Sequence, residues 1–177
     1  MSSMFSPAFV AAGSLVVVIA IMLVETRYSR RNEAALRLRG AAEPPDDVYR
    51  TMQWAYPLAF VAMAAEGALA GPEPGAATVA GAATLVAAKA LKYWAIASLG
   101  QRWTFRVLIL PGAPLVATGP YAFLRHPNYV AVVGELAGMA LLVGARVTGP
   151  LGTLLFGWLM WQRIRVEDGA LRHPPCT

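Results

Sequence analysis

Residues 1–31, "MSSMFSPAFVAAGSLVVVIAIMLVETRYSRR", decide the fold. The apolar run comes first and the arginines follow it. A cleaved secretory signal has the opposite order, with positive charge ahead of its apolar segment. The stretch therefore reads as a retained membrane anchor with its N-terminus outside. Composition agrees: of 177 residues, 57% are hydrophobic and 14% charged. Soluble domains carry about a quarter charged residues.

Working outward, a spanning helix needs about 20 mostly apolar residues. Candidate spans follow at 7–24, 49–69 with Pro57 as an expected kink, 76–97, 127–144 and 148–163. The last continues as a polar helix to about residue 171, and "GARVTG" reads as a tight hairpin before it. The fold class expected is all-α: a single domain over 1–177, a polytopic bundle of about five transmembrane helices. The link "ETRYSRRNEAALRLRGAAEPPDD" reads as an interfacial helix and a turn, and "GPEPG" as a short turn. Residues 101–125, "QRWTFRVLILPGAPLVATGPYAFLR", are too polar and too rich in Pro and Gly to span. They suit a β-like hairpin or a loop lying over the helix ends.

Orientation follows from the cations. Alternating five helices from an outside N-terminus places fourteen of the fifteen Lys and Arg on the cytoplasmic side, with Arg146 alone outside. The net charge of +5 forms no separate basic domain. It suits anionic headgroups rather than nucleic acid. Cys176 is the sole cysteine, so no internal disulfide can form. Two histidines, His126 and His173, with that cysteine make no metal site. No GxGxxG with a following acid, P-loop or Gly-x-Ser-x-Gly elbow occurs.

The candidate chemistry gathers at the cytoplasmic ends. In "RHPNY", Pro127 suits a first helical turn, where its missing N–H costs nothing. Free amides there attract anions such as a carboxylate. Arg125 and His126 read either as flanks of that site or as markers of a membrane boundary. In "RIRVED", Arg163 and Glu167 share one helical face. They form either a solvated helix end or a polar ligand site. Glu135 lies about two turns into the fourth helix and is a functional candidate or a partner of a neighbouring helix. Lys89 is expected to snorkel to the interface, and Glu66 to meet headgroups. Trp94, Trp103, Phe105, Tyr121 and Phe123 read as an aromatic belt or as faces for a cationic ligand.

In order, "SLGQRWTFRV", "PGAPLVATGPYAFLRHPNY" and "RIRVEDGAL" resemble the isoprenylcysteine carboxyl methyltransferase family of integral membrane enzymes. The resemblance covers 91–171; the helices of 1–70 are generic. It implies methyl transfer from S-adenosylmethionine to a carboxyl or hydroxyl group of a lipid-like acceptor from the bilayer, at the cytoplasmic face of a bacterial membrane. It implies cofactor contacts at Arg106, Ala113, Pro114, Leu115, Val116, Tyr121, His126, Pro127, Asn128, Tyr129, Glu167 and Asp168. It places Arg163 against the polar end of the acceptor, with Trp103 also on the acceptor side. Arg163, Glu167 and Glu135 are the expected catalytic group, with a glutamate as base where the acceptor needs one. The wording is nearest a bacterial branch acting on alkylpyrones or alkylresorcinols. The "FGxxYxxY"-like tail of prenylcysteine enzymes is replaced by "ALRHPPCT". Two rival readings remain: an NADPH-dependent membrane isoprenoid or sterol reductase, and a non-catalytic lipid-binding scaffold.

Overall fold

The computed structural model describes residues 6–45, 47–71 and 75–172, with side chains described through Gly169. His173, Cys176 and most of "GPEPG" lie outside the described residues. Five helices account for the architecture: α1 (Pro7–Leu38), α2 (Tyr49–Ala70), α3 (Ala76–Leu99), α4 (Pro127–Val143) and α5 (Thr148–Arg172). No sheet forms among the described residues, so the all-α expectation holds.

The separate interfacial helix expected after the first span does not exist. α1 is one rod of 32 residues, about 48 Å at 1.5 Å per residue. Between Val24 and Leu38 there is no Gly or Pro to stop it; the first breaker is Gly40, with φ +84°. Ser6 caps the other end, its hydroxyl accepting the Phe9 amide at 3.2 Å ahead of Pro7 at the first helical position. Pro57 sits inside α2 without ending it. α4 stops where Gly144 turns left-handed, with φ 69° and ψ 32°, and α5 begins four residues later. Glu66 of α2 caps α5, accepting from the Val147 amide at 2.9 Å and from the Thr148 amide and hydroxyl at 2.7 and 2.6 Å.

α3 and α4 are antiparallel and packed backbone to backbone. A Cβ on Gly81 would stand 2.3 Å from the Leu142 amide, and one on Gly138 2.8 Å from the Leu85 amide. Small residues at such crossings allow the dispersion contacts that hold helices together where apolar burial gives no drive. Phe60, Met63, Leu136 and Met139 are fully buried at the centre, joining α2 to α4. Ala11 and Val18 of α1 and Phe156 and Met160 of α5 complete this cluster. α1, and α3 with the 3₁₀ turn after it, are long and apolar enough to cross a membrane; α4 is a shorter apolar helix.

The 101–125 stretch forms no hairpin. Pro111 and Pro114 offer no amides, and Gly112 turns at φ +72°, so the two arms do not pair. Instead Ile109 exchanges both backbone hydrogen bonds with Ala42, at 2.9 and 3.0 Å. The loop reading is the one realised. Residues 103–109 form a strap lashed to the α1–α2 link through Ala42 and to α1 itself, with the Asn32 amide donating to Trp103 O at 2.8 Å and the Phe105 N–H to Ser29 Oγ at 2.8 Å.

Candidate active site

The start of α4 and the end of α5 meet, although "RHPNY" and "RIRVED" are far apart in sequence. His126 Nδ1 lies 3.9 Å from Glu167 Oε2 and its Nε2 lies 3.6 Å from Asp168 Oδ1. Arg125 Nη2 approaches Asp168 Oδ1 at 3.1 Å. Tyr129 Oη donates to Glu167 Oε2 at 2.8 Å and accepts from Arg163 Nε at 3.0 Å. Arg163 also donates through Nη2 to Phe105 O on the strap. Its Nη1 faces Asp47 Oδ1 at 3.6 Å. Burial first, and the Glu167 charge second, hold the Tyr121 phenol above its usual range.

Beside the network lies a cavity of about 470 Å³ between α1, α2, α4 and α5, a size suited to a small molecule. Ile19, Met22, Leu23, Met52, Pro57, Val132, Phe156 and Met160 give it an apolar wall. Asn128, Tyr129 and Arg163 form part of its lining, so cavity and network are continuous. Thr104 and Phe105 of the strap close one side.

Several expected residues lie elsewhere. Arg106 is committed to Glu43 at 2.6 Å and Glu33 at 3.5 Å, with its guanidinium 4.5 Å above the Tyr49 ring. Burial opposes ionisation of Glu43, but hydrogen bonds from Arg106 and Arg37 outweigh it and hold the carboxyl below its usual range. Ala113, Pro114, Leu115 and Val116 lie outside the cavity wall on the loop, Leu115 three-quarters exposed. Arg102 Nη1 fastens that loop by donating to Pro114 O at 2.5 Å. Trp103 is 2% exposed and packed between Tyr28 and Phe105, so it supports the strap and does not line the cavity. It is also no part of an aromatic belt, unlike Trp94 and Phe123, which are exposed. The α4 amide cradle is smaller than expected, because Pro127 has no N–H and the Tyr129 amide reaches His126 O at 3.1 Å.

Glu135 and Lys89 need the largest revision. Lys89 does not snorkel; its Nζ lies 2.8 Å from Glu135 and 3.2 Å from Glu25. Lys92 lies 2.7 Å from Glu25 and 3.3 Å from Glu135. Tyr56 Oη donates to Glu135 at 2.5 Å. These five residues tie α1, α2, α3 and α4 through a core with two charges of each sign. Glu135 is fully buried and absent from the cavity lining. Flanked by two ammonium groups and away from the cavity, it is placed as a structural counter-ion rather than as a base facing the acceptor. Tyr56 and Lys92 are the members that reach the cavity.

Asp47, Tyr56, Lys92 and Glu25 were missed in the sequence. Two lysines and two glutamates set into apolar runs signal mutual pairing, since an unpaired ion there is costly. Asp47 lies in "PPDD" directly ahead of a helix, where a capping acid is expected.

The chain is thus an all-α protein with a small-molecule cavity beside a network of ions drawn from loop and helix ends. Residues 81–173 match the isoprenylcysteine carboxyl methyltransferase (ICMT) family. The chain belongs to that family, and this segment is its methyltransferase domain. It is 35% identical to the uncharacterized protein YpbQ of Bacillus subtilis, over 88% of this chain and 95% of that one. It is 26% identical to an uncharacterized protein of Haemophilus influenzae, over 88% and 91% respectively. No solved structure matches the chain.

Proposed function

We propose that the protein transfers a methyl group from S-adenosylmethionine to an acidic oxygen of a lipophilic acceptor drawn from the membrane. The observation that carries this reading is the continuity of the His126–Glu167–Tyr129–Arg163 network with an apolar cavity. Such an arrangement serves a polar cofactor on one side and a greasy acceptor on the other.

The residues at the network suit the cofactor. Nε2 of His126 and Oδ1 of Asn128 are buried without hydrogen-bond partners among the described residues. Buried polar groups in native proteins are normally satisfied, and a polar ligand at the network would give these two their partners. Glu167 and Asp168 offer acceptors for hydroxyl or amino groups, and His126 and Arg125 suit a carboxylate. The cofactor, when bound, supplies an electrophilic methyl group on a sulfonium.

The cavity favours an oxygen anion over an amine. Its described lining includes the cations Arg30, Lys92 and Arg163 and no carboxylate. Lys92 is already balanced by Glu25 and Glu135, so Arg30 and Arg163 are the groups that favour a carboxylate, enolate or phenolate over an ammonium. An anionic acceptor needs no general base, which agrees with a Glu135 that lies outside the cavity lining. Arg163 holds the acceptor oxygen while the apolar wall excludes water. Holding the reactants in line can supply roughly 7–11 kcal/mol in well-oriented cases. Alkylpyrones and alkylresorcinols fall within this acceptor class.

The exposed faces support a membrane setting: Val16, Val17, Leu23 and Val24 of α1 and Leu151, Leu154, Leu155 and Trp158 of α5 are more than half exposed. We read all five helices as a bundle crossing a bacterial cytoplasmic membrane, with the site on the cytoplasmic side. The test is labelled methyl transfer from S-adenosylmethionine into a bacterial lipid extract, with mass identification of the product. A methyl ester or ether supports the reading. An N-methyl product, or binding of NADPH in place of S-adenosylmethionine, contradicts it.

A further inference from the structure

Asp47 stands in the link between α1 and α2, outside residues 81–173 that define the family match. Its side chain is 2% exposed. Oδ1 accepts the Tyr49 amide at 3.1 Å, and Oδ2 accepts the Val107 amide at 3.0 Å. Oδ1 also faces Arg163 Nη1 at 3.6 Å. One carboxylate thus joins the first turn of α2, the strap and α5.

We propose that Asp47 is the positioning residue for Arg163, fixing its guanidinium toward an anionic acceptor in the cavity. This rests on the reading above that Arg163 meets the acceptor. The guanidinium is a rigid planar fork. Its Nε is engaged by Tyr129 Oη, its Nη2 by Phe105 O and its Nη1 by Asp47, with Met52 Sδ 3.9 Å from the same nitrogen. Two hydrogen bonds set the plane of the fork, and the Asp47 charge at 3.6 Å holds the remaining nitrogen on its side. Asp47 is the carboxylate that pairs directly with Arg163 among the described residues. Glu167 reaches that arginine through Tyr129, and Asp168 is paired with Arg125.

The same carboxylate holds the wall. By accepting the Val107 amide it secures the strap whose Thr104 and Phe105 line the cavity. The charge that meets the acceptor and the surface that encloses it therefore share one anchor. The opposite view is that Asp47 competes with the acceptor for Arg163. Removing it would then tighten anion binding. The two views differ in sign.

The experiment uses the full chain in detergent or nanodiscs as wild type, Asp47→Asn, Arg163→Lys and the double variant. The probe is dodecanoate brominated at its terminal carbon, read by quenching of Trp54, which lines the cavity. Trp54→Phe is the control that removes the signal. Asp47→Asn should weaken the carboxylate by about tenfold, and the double variant should bind about as poorly as Arg163→Lys alone, the mark of residues acting as one unit. In methyl transfer the acceptor KM should rise more than kcat falls, with affinity for S-adenosylmethionine unchanged. Should Asp47→Asn not fold, Asp47→Glu, which keeps the charge but moves it by one methylene, should give a smaller loss. No quenching in the wild type, unchanged or tighter binding in either Asp47 variant, or additive losses in the double variant would overturn the proposal. A wild type that fails to bind S-adenosylmethionine while the carboxylate cycle behaves as described would sink the methyltransferase reading and leave Asp47's role standing.

Discussion

Tyr129 Oη lies 2.8 Å from Glu167 Oε2, a hydrogen bond between the first turn of α4 and the last turns of α5. The same hydroxyl accepts from Arg163 at 3.0 Å. It is the one atom that links the acidic side of the site to the arginine side.

Tyr129→Phe should therefore damage both sides at once while leaving the ring's packing against His126 in place. A hydrogen bond to a charged group contributes about 1.5–3 kcal/mol. The expected loss in kcat/KM is about 10- to 100-fold, with the unfolding temperature also lowered because the buried Arg163 Nε loses its acceptor. Steady-state kinetics beside a thermal melt would check it.

The four-ion core makes a stability prediction. Lys92→Met leaves Glu25 and Glu135 short of a counter-ion, and breaking a buried pair costs about 3–5 kcal/mol. Lys92→Met together with Glu25→Gln keeps the core neutral, because Lys89 and Glu135 still meet at 2.8 Å. The double variant should melt higher than the single one, as measured by thermal unfolding in detergent.

The α3–α4 crossing makes another. Gly138→Val would drive side-chain atoms into the Leu85 amide and Gly81 carbonyl, 2.8 and 3.1 Å from even a Cβ. Overpacking of this kind costs about 1–3 kcal/mol, occasionally more. Gly157, with open space around its Cβ position, is the control; Gly157→Ala should be neutral or stabilising by about 0.5–1 kcal/mol.

Acid should loosen the strap's neighbour. The Glu43 carboxyl is held below its usual range in the folded protein. A depressed folded value means that its contribution is fully present above the unfolded carboxylate range and is lost as pH falls through the folded value. The melting difference between wild type and Glu43→Gln should be constant near neutrality and shrink toward zero on acidification. A difference that grows on acidification would contradict the assignment.

Much of this was legible in the sequence, for identifiable reasons. Apolar runs bounded by Gly and Pro place α2, α3, α4 and α5 to within a few residues, because length and breakers decide where a helix can run. α1 was cut short in reading because apolarity ends at Val24 although helix propensity continues to Leu38. His126, Tyr129, Arg163 and Glu167 could be nominated because each lies in a motif at a helix end. Arg106 and Trp103 lie outside the cavity lining, which a motif match cannot tell because it gives no direction to a side chain. Here the acids Glu33 and Glu43 hold the first, and Tyr28 and Phe105 enclose the second. Asp47 and the Glu25–Lys92 pairing depend on contacts between distant segments, which periodicity does not report.

The central claim is that the junction of α4 and α5 is a binding site for S-adenosylmethionine. Equilibrium binding of that compound to the purified protein tests it most directly, with His126→Ala and Glu167→Ala as paired variants. The account predicts saturable binding by the wild type and a loss of about tenfold or more in each folded variant. Undiminished binding in both variants, or none in a folded wild type, would contradict it.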